Sequence, residues 1–162
     1  MGAHVSVTPN HQTHRVASMA TRSLMALSGT FGYELDLLTL SLEEQMQVVE
    51  YVSLHARIEE VVRTGRMYRL LSPFNSNLCS WMFVSEDQTR ALVFAFNTQY
   101  YEVTWNYPRL RLRGLRQEAH YTIEQHGSIA RKVLTGRTLE SAGLPILFNG
   151  DAESFLFILT QN

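Results

Sequence analysis

Apolar and small polar positions alternate twice in the first part of the chain. In Met1–Val7, Met1, Ala3, Val5 and Val7 fall on one side of an extended backbone, and Gly2, His4 and Ser6 on the other. In Gly29–Leu37 the pattern returns, with Phe31, Tyr33 and Leu35 opposite Thr30, Gly32, Glu34 and Asp36. A helical signal follows each stretch. Thr21–Leu27 is a short helical patch, with Thr21 as its expected cap and Ser28-Gly29 as its stop. Ser41-Leu-Glu-Glu44 satisfies the capping box and predicts a helix to about Thr64. Val48, Tyr51, Leu54, Ile58 and Val61 recur at steps of three and four, giving that helix one buried stripe. Two strand-to-helix units of this kind fit the end of an α/β barrel. Apolar side chains would pack on helices, and small polar ones would face the barrel axis.

From Met67 the period is two. Met67–Leu71, Cys79–Ser85, Ala91–Asn97, Arg109–Arg113, His120–Gln125 and Ser154–Thr160 read as short strands separated by turn residues. No gap holds a crossover helix, so the pairing is expected to be antiparallel. A two-layer sandwich is predicted, with Trp81, Phe83, Leu92 and Phe94 sharing one core with Tyr121, Ile123, Phe157 and Leu159. The fold class is therefore α/β plus all-β. Residues 1–65 are read as the end of an α/β barrel, its last two βα units, and residues 66–162 as an antiparallel β-sandwich.

Composition narrows the function. The 162 residues carry a net charge of −1, so no basic field points to nucleic acid. Arg109, Arg111 and Arg113 fall at period two, the spacing of a strand's wet face rather than a phosphate track. Cys79 is the single cysteine, which favours a reducing compartment, and a cytoplasmic location is expected. No apolar run reaches membrane-spanning length. The chain opens directly in strand-like sequence without a leader, which suggests a piece of a longer protein.

Several stretches, taken together, resemble one family. They are Met1-Gly-Ala-His-Val-Ser6, Pro9-Asn-His-Gln12 with Arg15, Thr21-Arg22, and Ser28-Gly-Thr-Phe-Gly-Tyr-Glu-Leu-Asp36. Tyr68-Arg-Leu-Leu-Ser-Pro73, Trp81-Met-Phe-Val-Ser-Glu-Asp87, Leu112-x-Gly-Leu115 with Tyr121, Ala142-Gly-Leu-Pro145 and Gly150-Asp151 continue the series. In this order and spacing they resemble the family-36 α-galactosidases of retaining-glycosidase clan D. The resemblance implies double-displacement hydrolysis of terminal α-galactosides such as melibiose and raffinose, with no metal and no cofactor. It also implies that both catalytic Asp residues lie on barrel strands before Met1, so this chain alone is expected to be inactive. Its expected partners are the upstream barrel segment, α-galactoside sugars through the complete enzyme, and further copies in a homo-oligomer.

The residues themselves support that division. Retaining hydrolysis needs two carboxyls facing each other about 5 Å apart across the glycosidic bond. Glu34 and Asp36 stand side by side at i and i+2 of one strand and cannot straddle it. Asp36 is better read as ordering the entry to the Ser41 helix. His4, His11 and His14 match no standard zinc spacing. Ser6 lacks the elbow of a hydrolase nucleophile. No residue is therefore assigned a catalytic role. His4, Ser6, Asn10, His11, Arg15 and Glu34 are assigned to the rim of the sugar pocket, where barrel sites sit. A second reading is a non-catalytic carbohydrate-binding sandwich; Trp81, Trp105 and the Tyr100-Tyr101 pair are the aromatics that would stack on sugar there, although core or interface packing is their expected role.

Overall fold

A computed structural model describes residues 2–98, 108–148, 150 and 152–162. The chain divides into two compact units, Met1–Arg63 and Thr64–Asn162.

The first unit holds β1 (Val5–Ser6), α1 (Met19–Leu27), β2 (Tyr33–Glu34), a 3-10 turn (Leu37–Thr39) and all but the last residue of the long helix α2 (Leu42–Thr64). β1 and β2 pair in parallel, with Val5 opposite Tyr33 and Ser6 opposite Glu34. Both strands are shorter than the alternation predicts. Phe31 takes a left-handed φ of 41°, which breaks the extended run ahead of Tyr33. Beyond Glu34, the Asp36 carboxylate accepts from the Leu38 N–H at 2.9 Å and starts the 3-10 turn. The cap of α1 is Ser18, not Thr21; the Ser18 hydroxyl accepts from the Thr21 N–H at 3.1 Å. Thr21 is thus the residue whose orphan N–H is satisfied, three positions inside the cap.

The capping box of α2 forms as the sequence predicts. Glu44 N–H donates to Ser41 Oγ at 3.2 Å, and Ser41 N–H donates to Glu44 Oε2 at 3.0 Å. Tyr51, Leu54, Ile58 and Val61 are buried along one stripe. A second apolar row on the same helix, Leu42, Met46, Val49 and Val52, is exposed. Phe31 stacks on His55 with ring centroids 4.9 Å apart, which ties the β2 segment to α2.

The second unit is built on a six-stranded sheet in the order β3-β4-β5-β10-β7-β8. Its strands are β3 (Arg66–Leu71), β4 (Leu78–Val84), β5 (Arg90–Asn97), β7 (His120–Gln125), β8 (Arg131–Thr135) and β10 (Ser154–Gln161). Every pairing in it is antiparallel. β6 (Arg109–Leu110) and β9 (Leu144–Pro145) form a separate two-stranded ladder. The short helix α3 (Gly136–Ser141) lies between β8 and β9, with Thr135 as its cap. β8, α3 and β9 have no counterpart among the predicted strands.

The core of this unit differs from the expected one. Met82, Val84, Ala91, Val93, Ala95, Tyr121, Ile123, Phe157 and Leu159 cluster with Leu110, Leu112, Leu139, Leu144 and Ile146. Trp81 pairs with Phe94 and Phe83 with Leu92, so these four lie on the opposite face of the sheet. β5 is buried on both faces from Ala91 to Asn97. A strand with two buried faces carries no polar alternation to show which side meets which core. Around β6 the alternation does hold: Leu110, Leu112 and Leu115 are buried, while Arg109, Arg111, Arg113 and Arg116 are exposed.

The β4–β5 hairpin is locked to the segment after β6. Tyr121 is fully buried; its hydroxyl donates to the Gln88 carbonyl at 2.8 Å and accepts from the Arg116 N–H at 3.1 Å. Gln88 Nε2 donates to the Gly114 carbonyl at 2.9 Å. Within the hairpin, Asp87 Oδ1 accepts from Ser85 Oγ, Thr89 N–H and Thr89 Oγ1 at 2.7, 3.0 and 2.8 Å.

Candidate functional site

The parallel ladder of β1 and β2 sorts the first unit's side chains into two faces. Val5 is fully buried on one. The other carries His4, Ser6 and Glu34, and it is open. A Cβ added at Gly2 or Gly32 would meet nothing within 4 Å. His4 Nε2 lies 2.5 Å from Glu34 Oε2, with the two side chains 53% and 72% exposed. The contact is an ion pair when His4 is protonated. The ladder places the open face, the imidazole and the carboxylate together, as the alternation of the two stretches implies.

The loop after β1 is built from its own hydrogen bonds. Asn10 Oδ1 accepts from the Gln12 N–H at 3.1 Å, the Thr13 N–H at 2.9 Å and the Thr13 hydroxyl at 3.0 Å. The Asn10 N–H donates to the Arg15 carbonyl at 2.9 Å, and the His14 N–H donates to the Asn10 carbonyl at 2.8 Å. Asn10 therefore shapes the loop through its side-chain oxygen, as asparagine commonly does in turns. His11 and Arg15 are exposed on it. Among the described residues, no three His, Cys, Asp or Glu side chains converge as a metal site would require.

Arg22 carries a role that the strand pattern does not reveal. Its Nη1 donates to the Ser6 carbonyl at 2.5 Å and its Nε to the Ala17 carbonyl at 3.2 Å. It thus joins the end of β1 to the start of α1. Burial lowers its pKa, while Glu44 and Tyr33 act in the opposite direction. Tyr33 and Tyr51 line the interior side of this unit. Burial pushes the Tyr33 phenol up. Burial, with Glu50 and Tyr33 adding to it, pushes the Tyr51 phenol up to about 12. Both phenols therefore stay neutral in ordinary buffers.

The two carboxylates at the end of β2 and just beyond it are separated by role. Glu34 faces His4 on the open side, while Asp36 is taken up by the cap of the 3-10 turn. In the second unit, the half-buried Trp81 ring stacks on Phe96 and Phe94 of β5, with centroids 5.0 and 6.4 Å away. Tyr100, Tyr101 and Trp105 lie outside the described residues. No helix among the described residues is long and apolar enough to cross a membrane.

Both parts of the chain match models of carbohydrate-cleaving enzymes. Residues 1–65 match the model described as Melibiase, and residues 78–159 match the glycosyl hydrolase family 36 C-terminal domain. The chain belongs to glycosyl hydrolase family 36. Among its relatives is the bifunctional alpha-galactosidase/sucrose kinase AgaSK of Mediterraneibacter gnavus, 40% identical over 99% of this chain and 17% of that protein. Alpha-galactosidase AgaA of Geobacillus stearothermophilus is 46% identical over 78% of this chain and 17% of that protein. The structure of alpha-galactosidase AgaB from Geobacillus stearothermophilus superposes with a TM-score of 0.92 at 38% identity, covering all of this chain and 22% of that one. The AgaA structure in complex with raffinose gives a TM-score of 0.92 at 39% identity, again over 100% and 22%. The chain thus spans 17% of the length of the first two relatives, and its structure matches the C-terminal region of family 36 α-galactosidases.

Proposed function

We propose that this chain is the C-terminal part of an α-galactosidase that removes terminal α-galactose with retention from sugars of the melibiose and raffinose type. The observation that carries this reading is the match of the whole chain, at TM-scores of 0.91 and 0.92, to α-galactosidases of which it covers 22%. Parallel β1 and β2 then serve as the last two strands of a (β/α)8 barrel, and the antiparallel sheet serves as the sandwich domain that follows. The open face with His4, Ser6 and Glu34, and the loop with Asn10, His11 and Arg15, border the sugar pocket. Both catalytic carboxyls are supplied by preceding barrel strands. Glu34 and Asp36 do not replace them, since Asp36 caps a turn and Glu34 stands beside it on the same chain segment.

The partner in this reading is the preceding barrel segment. The exposed row Leu42, Met46, Val49 and Val52 on α2, with Leu38 at 91% exposure next to its start, is the surface on which we place the neighbouring barrel helix. A homo-oligomer of the complete enzyme is part of the same proposal. So is a reducing, cytoplasmic location, which the single cysteine favours because no intrachain disulfide can form.

The experiment is complementation. This chain is assayed on an aryl α-galactoside alone and again after co-expression with the preceding part of a family 36 enzyme. The expected result is no turnover alone and α-galactosidase activity with the partner. Turnover by the chain alone that Glu34→Gln abolishes would overturn the assignment and make Glu34 the lead catalytic residue.

A further inference from the structure

The second unit carries a polar cleft of about 490 Å3 that the proposed function does not use. Arg66, Tyr68, Ser85, Glu86, Gln88 and Gly114 line it. Arg66 and Tyr68 stand two residues apart on β3, so both side chains lie on one face of the strand. The Arg66 guanidinium carbon is 5.4 Å from the centroid of the Tyr68 ring, which holds the cation against one wall. The facing wall is the β4–β5 hairpin, with Ser85, Glu86 and Gln88.

Backbone approach, rather than side-chain bulk, closes the back of this cleft. Gly114 has a φ of +75°, and a Cβ there would fall 2.5 Å from the Tyr68 hydroxyl. Only glycine fits so close to the ring. Gln88 has a left-handed φ of 58°, held by its amide bond to Gly114 and by the Tyr121 hydroxyl on its carbonyl. The three segments are thus fixed before any ligand arrives, which lowers the ordering cost of binding.

The lining specifies the ligand class. Ser85 Oγ is taken up by Asp87 and Arg90, and Gln88 Nε2 by Gly114, so the lining offers a ligand the Arg66 guanidinium, the Glu86 carboxylate, the Tyr68 hydroxyl and the Gln88 side-chain oxygen, with Arg66 and Glu86 opposite in charge. An anion would meet Glu86, and an apolar ligand would strand the polar groups without partners. Adjacent hydroxyls that both donate and accept satisfy both charged groups at once. The volume falls within the range of about 300–1,000 Å3 usual for small-molecule sites. We infer that this cleft is a saccharide site for one or two neutral sugar rings, formed by residues other than those of the catalytic barrel. It is independent of the α-galactosidase reading, because it requires no turnover.

The test is a titration of the full chain followed by amide NMR, with raffinose as the probe in one series and inorganic phosphate in another. Raffinose is expected to shift the Gln88 and Gly114 amides, and Arg66→Ala and Glu86→Gln are each expected to weaken this binding by about tenfold or more. Glu86 is exposed and takes no part in the Asp87 bonds, so Glu86→Gln keeps the hairpin folded and the comparison valid. Shifts with phosphate but not raffinose would replace the saccharide site by an anion site. Shifts confined to the amides around His4 and Glu34, or none at all, would also overturn the proposal. Complementation activity is read separately, so loss of one reading leaves the other intact.

Discussion

His4 Nε2 and Glu34 Oε2 meet 2.5 Å apart across two parallel strands, although Ser6, not His4, is the direct partner of Glu34 in the ladder. The contact is diagonal, between residues on the same face two positions out of register. Both side chains are more than half exposed, and exposed ion pairs contribute less than about 1 kcal/mol. His4→Ala and Glu34→Gln are therefore each expected to change the unfolding free energy by less than about 1 kcal/mol in urea titrations. In the complemented enzyme, Glu34→Gln is expected to lower kcat/KM about tenfold, equivalent to about 1.4 kcal/mol of transition-state binding. An unchanged kcat/KM would remove Glu34 from the pocket rim.

Tyr121→Phe tests the lock between the β4–β5 hairpin and the segment after β6. The substitution keeps the ring and removes one hydroxyl. It leaves the Gln88 carbonyl and the Arg116 N–H without that partner. Unsatisfied groups at a buried position cost about 1–3 kcal/mol. A loss of that size is expected in chemical denaturation, together with faster amide exchange at Gln88 and Arg116. A neutral Tyr121→Phe would show that water replaces the hydroxyl there.

How much was legible in the sequence depended on whether a local rule acted alone. The capping box at Ser41 and Glu44 is a rule of spacing, and it appears as written. The buried stripe of α2 is a rule of period, and Tyr51, Leu54, Ile58 and Val61 follow it. The strand expected over Gly29–Leu37 was cut short because Phe31 adopts a left-handed φ, a conformation with no signal in a bulky aromatic residue. The core of the second unit differs from the pattern because β5 buries both faces. β8 carries little apolar pattern, since Arg131, Lys132 and Val133 are exposed. Of the site, the shared face of His4 and Glu34 followed from period two. The Arg22 link to Ser6 did not, because it depends on how α1 returns to β1.

Asp87 sets a pH dependence with a definite sign. The Ser85 hydroxyl, then the Thr89 N–H and hydroxyl, hold its carboxyl at about 2. An unfolded aspartate titrates near about 3.9. Since the folded value is the lower one, the contribution of this turn to stability is complete above the unfolded value and is lost as pH falls through the folded value. Carbon-13 NMR of the Asp87 carboxyl is expected to show a midpoint near 2, and Asp87→Asn is expected to flatten the stability profile between about pH 4 and pH 2. A midpoint at the ordinary aspartate value would mean that the three hydrogen bonds do not persist in solution.

The start of α2 depends on Ser41. Its hydroxyl satisfies the Glu44 N–H, one of the four unpaired donors at the helix start. Ser41→Ala is expected to cost about 1 kcal/mol, within the range measured for such caps. Fraying in the first turn, over residues 42–44, should accompany it in amide exchange. If Ser41→Ala leaves both stability and exchange unchanged, Glu44 alone holds the turn.

The exposed row on α2 tests the proposed docking of a preceding barrel segment. Met46 and Val49 are 67% and 66% exposed, so replacing them with lysine removes no packing within this chain. Met46→Lys and Val49→Lys should leave its circular dichroism and unfolding midpoint unchanged within about 0.5 kcal/mol, as for surface positions generally. If the preceding barrel segment covers this row, each lysine is buried on assembly without a partner. That costs several kcal/mol, and complementation activity should fall by more than about tenfold. The isolated chain should also self-associate less in sedimentation, because an exposed apolar row favours contacts between copies. Polar controls on the same helix, Glu59→Lys and Glu60→Lys, separate a charge effect from a docking effect. If Met46→Lys and Val49→Lys complement as well as the parent chain does, the preceding barrel segment does not dock on this row.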